Sequence, residues 1–192
     1  MKNLFLSIGS MAILSGLGVS IAAAEPVFNR ISSWPVSSNL PASRDPATET
    51  SAEIIKVARD GTLIVYTDSS LQSIGMIDIT DPKSPNSAGV VAIGGEPTSV
   101  AIVGRRAFVV VDTTTDHAAP TGHLSVVDLL SKTVVKTCDL HGQPDSVAVS
   151  SDKSLLVVAI ENQRNEDLRG GEMPQPPPGN VTIFSLSGGD FD

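Results

Sequence analysis

Residues 124–160 read LSVVDLLSKTVVKTCDLHGQPDSVAVSSDKSLLVVAI, and this stretch decides the fold. It holds four short apolar runs: Val126-Val127-Asp128-Leu129, Val134-Val135-Lys136-Thr137-Cys138, Ser146-Val147-Ala148-Val149 and Leu155-Leu156-Val157-Val158. Between them stand Ser131-Lys132, His141-Gly142-Gln143-Pro144 and Ser150-Ser151-Asp152-Lys153. Val-rich runs this short, bounded by turn residues, predict antiparallel strands and not helices.

The same phrase occurs upstream. Thr98-Ser99-Val100-Ala101-Ile102 leads through a turn into Ala107-Phe108-Val109-Val110-Val111, and Glu53-Ile54-Ile55-Lys56-Val57 leads into Leu63-Ile64-Val65-Tyr66. The phrases start at 53, 98 and 145, giving periods of 45 and 47 residues. Third strands follow at Met76-Ile77-Asp78-Ile79, Val126-Val127-Asp128-Leu129 and Ile183-Phe184-Ser185-Leu186, with fourth strands at Val90-Val91-Ala92-Ile93 and Val134 to Cys138. Gly95-Glu96-Pro97 and Gly142-Gln143-Pro144 mark tight exits into the next unit. Four strands per period in the forties predict blades of a β-propeller, an all-β fold of four-stranded antiparallel sheets. About three blades are expected, at 53–97, 98–144 and an incomplete 145–192.

The phrase VVDLLSKTVVKTCDLHGQPDSVAVSSDKSLLVVAIEN resembles the repeat of YVTN-type propellers, found in surface-layer and lactonase-like proteins. The resemblance covers residues 53–186 and implies a binding or scaffold role. A second resemblance rests on one loop, Glu161-Asn162-Gln163-Arg164-Asn165-Glu166-Asp167 through Pro174-Gln175-Pro176-Pro177-Pro178-Gly179. It is similar to a loop of secreted bacterial proteins that carry a phytase-like, esterase-like domain and are labelled alkaline phosphatase. It implies a phosphoric-ester or carboxylic-ester hydrolase as the alternative function.

The 192 residues suffice for one ordinary domain. Residues 1–24 have a basic start at Lys2, an apolar middle and an Ala22-Ala23-Ala24 exit, the pattern of a cleavable secretory signal peptide. A periplasmic or secreted protein follows from it, with no stable membrane insertion after cleavage. Removal of Lys2 makes the net charge of −8 one unit more negative, and 21 acidic residues argue against nucleic acid as a partner. Cys138 is the single cysteine, so no internal disulfide can form, and its place in a strand predicts a packed, inert thiol. Residues 25–52, rich in Pro and Ser, form a leader in which a strand is expected at 27–34, with Phe28, Ile31 and Trp34 packing on a core.

An arc of about three blades leaves sheet edges uncovered, and closure is what protects them in propellers. The expectation is therefore the N-terminal part of a longer protein, with the C-terminal remainder of the propeller as a partner. A partial propeller that assembles with itself is the alternative.

Loops joining second to third strands and fourth to first strands are expected on one face. That face collects Asp68, Asp112, Asp116, His117, His123, Glu161, Arg164, Glu166 and Asp167 as candidate ligand-binding residues. Repeat alignment places Asp68 and Asp112 at one position, with Ile160 interrupting the series. Recurring carboxylates can hold Ca²⁺, a hard cation that takes several oxygen ligands. The plainer reading is that they cap turns. His117 and His123 stand six apart with no Cys partner, which matches no common zinc spacing. No Gly-x-Ser-x-Gly elbow or phosphate-binding Gly-rich loop occurs, so no catalytic residue is assigned. The expected partner is a protein or a small molecule.

Overall fold

The computed structural model describes residues 28–162, 165–172 and 175–186. The signal peptide expected at 1–24 lies outside them. The chain divides into two units, Met1–Arg30 and Ile31–Asp192. In the first, residues 28–30 are described and are exposed.

Among the described residues of the second unit, eleven strands form three antiparallel sheets, each a meander in sequence order. Blade 1 contains β1 (Ile55–Ala58), β2 (Leu63–Asp68), β3 (Ser73–Asp78) and β4 (Asn86–Ala92). Blade 2 contains β5 (Glu96–Val103), β6 (Arg106–Asp112), β7 (Gly122–Asp128) and β8 (Thr133–Asp139). Blade 3 contains β9 (Gln143–Val149), β10 (Leu155–Glu161) and β11 (Asn180–Ser185). The described residues contain no α-helix, only short 3-10 turns at Val36–Asn39, Arg59–Gly61 and Leu168–Gly171. The three sheets make an open set of propeller blades, as the repeat predicts.

Side chains alternate along each strand, so every blade has a front face, toward the blade that follows, and a back face. Two apolar layers result. Leu63, Val65, Ile74 and Met76 on the front of blade 1 meet Val100, Val109, Val111 and Val127 on the back of blade 2. Phe108, Val110, Leu124 and Val126 on the front of blade 2 meet Val147, Leu156, Val158 and Ile160 on the back of blade 3. Each fully buried aliphatic side chain contributes about 1.5–3 kcal/mol. Because β6 is buried on both faces, it reads as the unbroken run Ala107-Phe108-Val109-Val110-Val111 and not as an alternation.

Polar ties hold the same seams. Thr98 Oγ1 donates to the carbonyl of Pro144 (2.7 Å), and the Val147 amide donates to Ser99 Oγ (3.3 Å). Between blades 1 and 2, Arg59 Nη2 donates to the Leu129 carbonyl at 2.8 Å, and His123 Nε2 lies 3.2 Å from the Ile93 carbonyl. At the β7–β8 turn, Asp128 Oδ1 accepts from the amides of Leu130 and Ser131, while Oδ2 meets Arg106 Nη1 (2.5 Å) and Arg105 Nε (3.0 Å).

The leader departs from expectation. Residues 28–35 form no strand, Phe28 and Ile31 are exposed, and Trp34 is only half-buried. With Pro26 and Pro35 flanking the segment, an uninterrupted ladder has little room. Attachment comes instead from Asn39, which is 4% exposed and sits on the back of blade 1. Its Nδ2 donates to Tyr66 Oη, Met76 O and Gly89 O at 3.0–3.1 Å, and its Oδ1 accepts from Ser87 Oγ and the Gly89 amide. These backbone groups are free because a β-bulge shifts the β3–β4 register beside Met76.

Candidate functional site

The turns predicted to share one face do so. Gln72 of the β2–β3 turn, Gly94, Gly95 and Glu96 of the β4–β5 connection, and Asp112 to Thr115 after β6 line one recess of about 260 Å³. Glycine makes the recess possible. A Cβ on Gly95 would stand 2.6 Å from the Asp112 carbonyl oxygen and 2.7 Å from Val111 Cγ1. In the next connection, Gly142 presses in the same way on Ile160 Cγ2, at 2.6 Å. The Gly-x-Pro exits in the sequence are therefore demanded by close approach of the connection to the next second strand.

The recess is acidic and rich in hydroxyls. Glu96 and Asp112 are direct partners across β5 and β6, so their side chains leave the sheet on one side, and both residues line the recess. Like charges so placed repel, and a cationic or hydroxyl-bearing ligand relieves that repulsion. The Thr114 amide donates to Asp112 Oδ1 at 2.8 Å. The loop over 113–121 is braced by Thr113 Oγ1 against Thr121 Oγ1 (2.9 Å) and by Thr114 Oγ1 donating to the Thr121 carbonyl (3.1 Å).

The other predicted residues are distributed as follows. Asp116 and His117 are exposed at the tip of the 113–121 loop, where Asp116 Oδ1 accepts from the Ala118 amide. His123 lies at the seam between blades 1 and 2 and does not pair with His117 in a metal site. Glu161 ends β10 opposite Gln143. Glu166 and Asp167 are exposed on the long β10–β11 loop, and Arg164 lies outside the described residues. That loop is organised by residues the sequence reading passed over. Gln175, 4% exposed, donates through Nε2 to Asn165 O and Glu172 O and accepts the Asn165 amide, while Asn162 Nδ2 donates to the Gln175 and Pro177 carbonyls.

The alignment of Asp68 with Asp112 needs correction. Ser73 pairs with Ala92, just before Ile93, as His123 pairs with Asp139, just before Leu140. Asp68 pairs with Ser73, and Val111 pairs with His123, so Asp68 holds the position of Val111. Ile160 holds it in blade 3, opposite Pro144 as Val111 is opposite Pro97. The true counterpart of Asp112 is Glu161, and Ser69 stands there in blade 1. The error arises in the turn between first and second strands, which spans 59–62, 104–105 and 150–154 in the three blades. A one-residue slip moves a side chain to the other face. Asp68 thus lies on the back of blade 1, 1% exposed, with Oδ1 accepting the amides of Ser51 (3.0 Å) and Leu71 (3.1 Å). Among the described residues, no three His, Cys, Asp or Glu side chains gather to hold a metal ion.

The Choice-of-anchor I domain family matches residues 53–192. No curated protein matches the chain. Among solved structures, hydrazine synthase of Kuenenia stuttgartiensis is 18% identical, with a TM-score of 0.50 over 69% of this chain and 38% of that one. A luciferin-regenerating enzyme is 14% identical, with a TM-score of 0.53 over 71% of this chain and 45% of that one. The likeness is one of propeller-like fold, and the chain spans less than half the length of either structure. No described helix is long and apolar enough to cross a membrane.

Proposed function

Because the chain belongs to the Choice-of-anchor I domain family, we propose that it is an exported β-propeller module, displayed outside the cell, whose loop-bearing face binds a ligand. The word anchor in the family's description and the apolar, Ala-ended start of the sequence both support export. The finer kinship to YVTN-type repeats is part of this reading and rests on the residues quoted above. So is a domain order of signal peptide, leader and repeats.

The observation that carries the reading is the recess between blades 1 and 2, which the cross-strand partners Glu96 and Asp112 line together with Thr113, Thr114 and Thr115. Its chemistry suits a ligand carrying several hydroxyls or an ammonium group, such as a saccharide or a polyamine, and disfavours a phosphate. Asp116 and His117 on the overhanging loop supply further contacts. Calcium bound by Asp112 together with ligand oxygens would be one way of holding a polyol there, but Asp68 is not part of that set.

Titration calorimetry of the purified protein with oligosaccharides and with spermidine, each with and without Ca²⁺, tests this. Micromolar binding that is lost in both Glu96→Gln and Asp112→Asn supports the recess. Heat unchanged by either substitution sinks it. Turnover of a chromogenic phosphate ester would favour the hydrolase alternative.

A further inference from the structure

The leader and blade 1 bound a second cavity, on the face of the blade opposite the apolar layer shared with blade 2. Ser73 pairs with Ala92 across β3 and β4, and Val90 stands two residues before Ala92. All three therefore lie on the back face that carries Asp68 and Tyr66. With Leu71, and with Leu40 and Arg44 of the leader, they line a cavity of about 170 Å³. That is the space of about five or six water molecules in the liquid, at about 30 Å³ each.

The lining is apolar apart from Ser73 and Arg44. Ser73 is 2% exposed, and its Oγ has no hydrogen-bond partner among the described residues. Asp68, its direct partner across β2 and β3, is 1% exposed, and its Oδ2 is unpartnered in the same sense. The other oxygen, Oδ1, is engaged by the Ser51 and Leu71 amides, which fixes the carboxylate in place. Side chains of such a cross-strand pair leave the sheet about 5 Å apart, a spacing that one nitrogen donating to both oxygens can bridge. Buried polar groups are as a rule bonded, and leaving them alone is costly. Two acceptors, one of them charged, suit a head group with several donors and a positive charge, which is an ammonium. Arg44 is exposed, and its guanidinium favours a carboxylate and repels a second cation.

We propose that this cavity binds a short aliphatic ω-amino acid. Its ammonium stands between Ser73 Oγ and Asp68 Oδ2, its methylene groups against Leu40, Leu71, Val90 and Ala92, and its carboxylate on Arg44. The site shares no lining residue with the recess between blades 1 and 2 and does not rest on the reading given to that recess.

Titration calorimetry of the full chain with δ-aminovalerate, pentylamine and valerate tests this. The amino acid should bind most tightly, pentylamine about tenfold more weakly for want of the Arg44 contact, and valerate most weakly. Ser73→Ala and Arg44→Ala should each weaken δ-aminovalerate about tenfold or more, whereas Glu96→Gln in the recess should leave its binding unchanged. Without ligand, Ser73→Ala should melt no lower than the unsubstituted protein, because its hydroxyl has no partner to lose. Absence of binding by δ-aminovalerate would overturn the proposal, and valerate binding equally well would reverse the charge assigned to the head group. A melting temperature lowered by Ser73→Ala would also overturn it, since the hydroxyl would then be bonded within the fold.

Discussion

Tyr66 occupies the space that a side chain on Gly75, its direct partner across β2 and β3, would need. A Cβ at position 75 would strike the ring at Cζ, Oη and Cε1. The ring is buried, and its hydroxyl meets Asn39 of the leader. An aromatic residue on the back of blade 1, where blades 2 and 3 carry Val109 and Val158, thus depends on a glycine opposite. Gly75→Ala should displace the ring and lower stability by about 1–3 kcal/mol, as overpacking does. Urea denaturation followed by fluorescence measures it.

Asn39→Ala removes the donor to the Met76 and Gly89 carbonyls and the acceptor for Ser87. Each buried polar group left without a partner costs about 1–3 kcal/mol. Loss of at least about 2 kcal/mol is expected on that basis, together with faster proteolysis between residues 40 and 52. Unchanged proteolysis there would mean the leader is held by other contacts.

Leu155 and Leu156 are neighbours on opposite faces of β10, one exposed and one fully buried. Leu156→Ala should cost about 2–5 kcal/mol through the cavity it leaves, while Leu155→Ala should be near neutral in the isolated chain. Equal effects in thermal or chemical unfolding would contradict the register of blade 3.

Acid sensitivity should concentrate in the turns of Asp78, Asp128 and Asp152, whose carboxyls are all held below the usual range. Asp152 is held down at about 2 by the Ser150 hydroxyl, then by the Ser154 amide and hydroxyl. Asp128 is held below the usual carboxylate range chiefly by the Ser131 amide, then the Leu130 amide and the charges of Arg105 and Arg106, against the opposing effect of burial. Depressed folded-state values stabilise the fold above the unfolded pKa of about 4, and that stability fades as pH falls through the folded value. Asp152→Asn should therefore lower stability at neutral pH, with the difference from the unsubstituted protein vanishing near pH 2. Tyr66 runs the other way. Burial, and secondarily the charge of Asp68, raise its pKa despite the opposing Asn39 hydrogen bond, so its contribution is lost as pH rises past its folded value. Melting temperatures across the pH range check both signs.

Much of the fold was readable from apolar runs and turn residues. The runs at Ser146 to Val149 and Leu155 to Val158 fall inside β9 and β10 and pair in one sheet, Val147 with Val158 and Ala148 with Val157. The Gly-x-Pro exits were legible as tight turns between blades, but that their glycines lie against the next second strand and shape the recess shows only in the structure. Asn39 gave no signal, since a polar residue in a Pro-rich leader has no periodicity to betray its burial. Asp68 misled because strand period two makes a single miscounted turn residue exchange front for back. Gln175 was hidden for a related reason. Its bonds run to backbone atoms within one loop, which leaves no pattern in residue type.

Arg59 and His123 bond across the seam between blades 1 and 2 to the carbonyls of Leu129 and Ile93. A wedge tied at both should resist opening, and the cleft beside it is expected to keep one width with or without a guest. Selection there would then work by fixed dimensions, refusing a guest one ring too large, while one that fits would spend little on ordering its host.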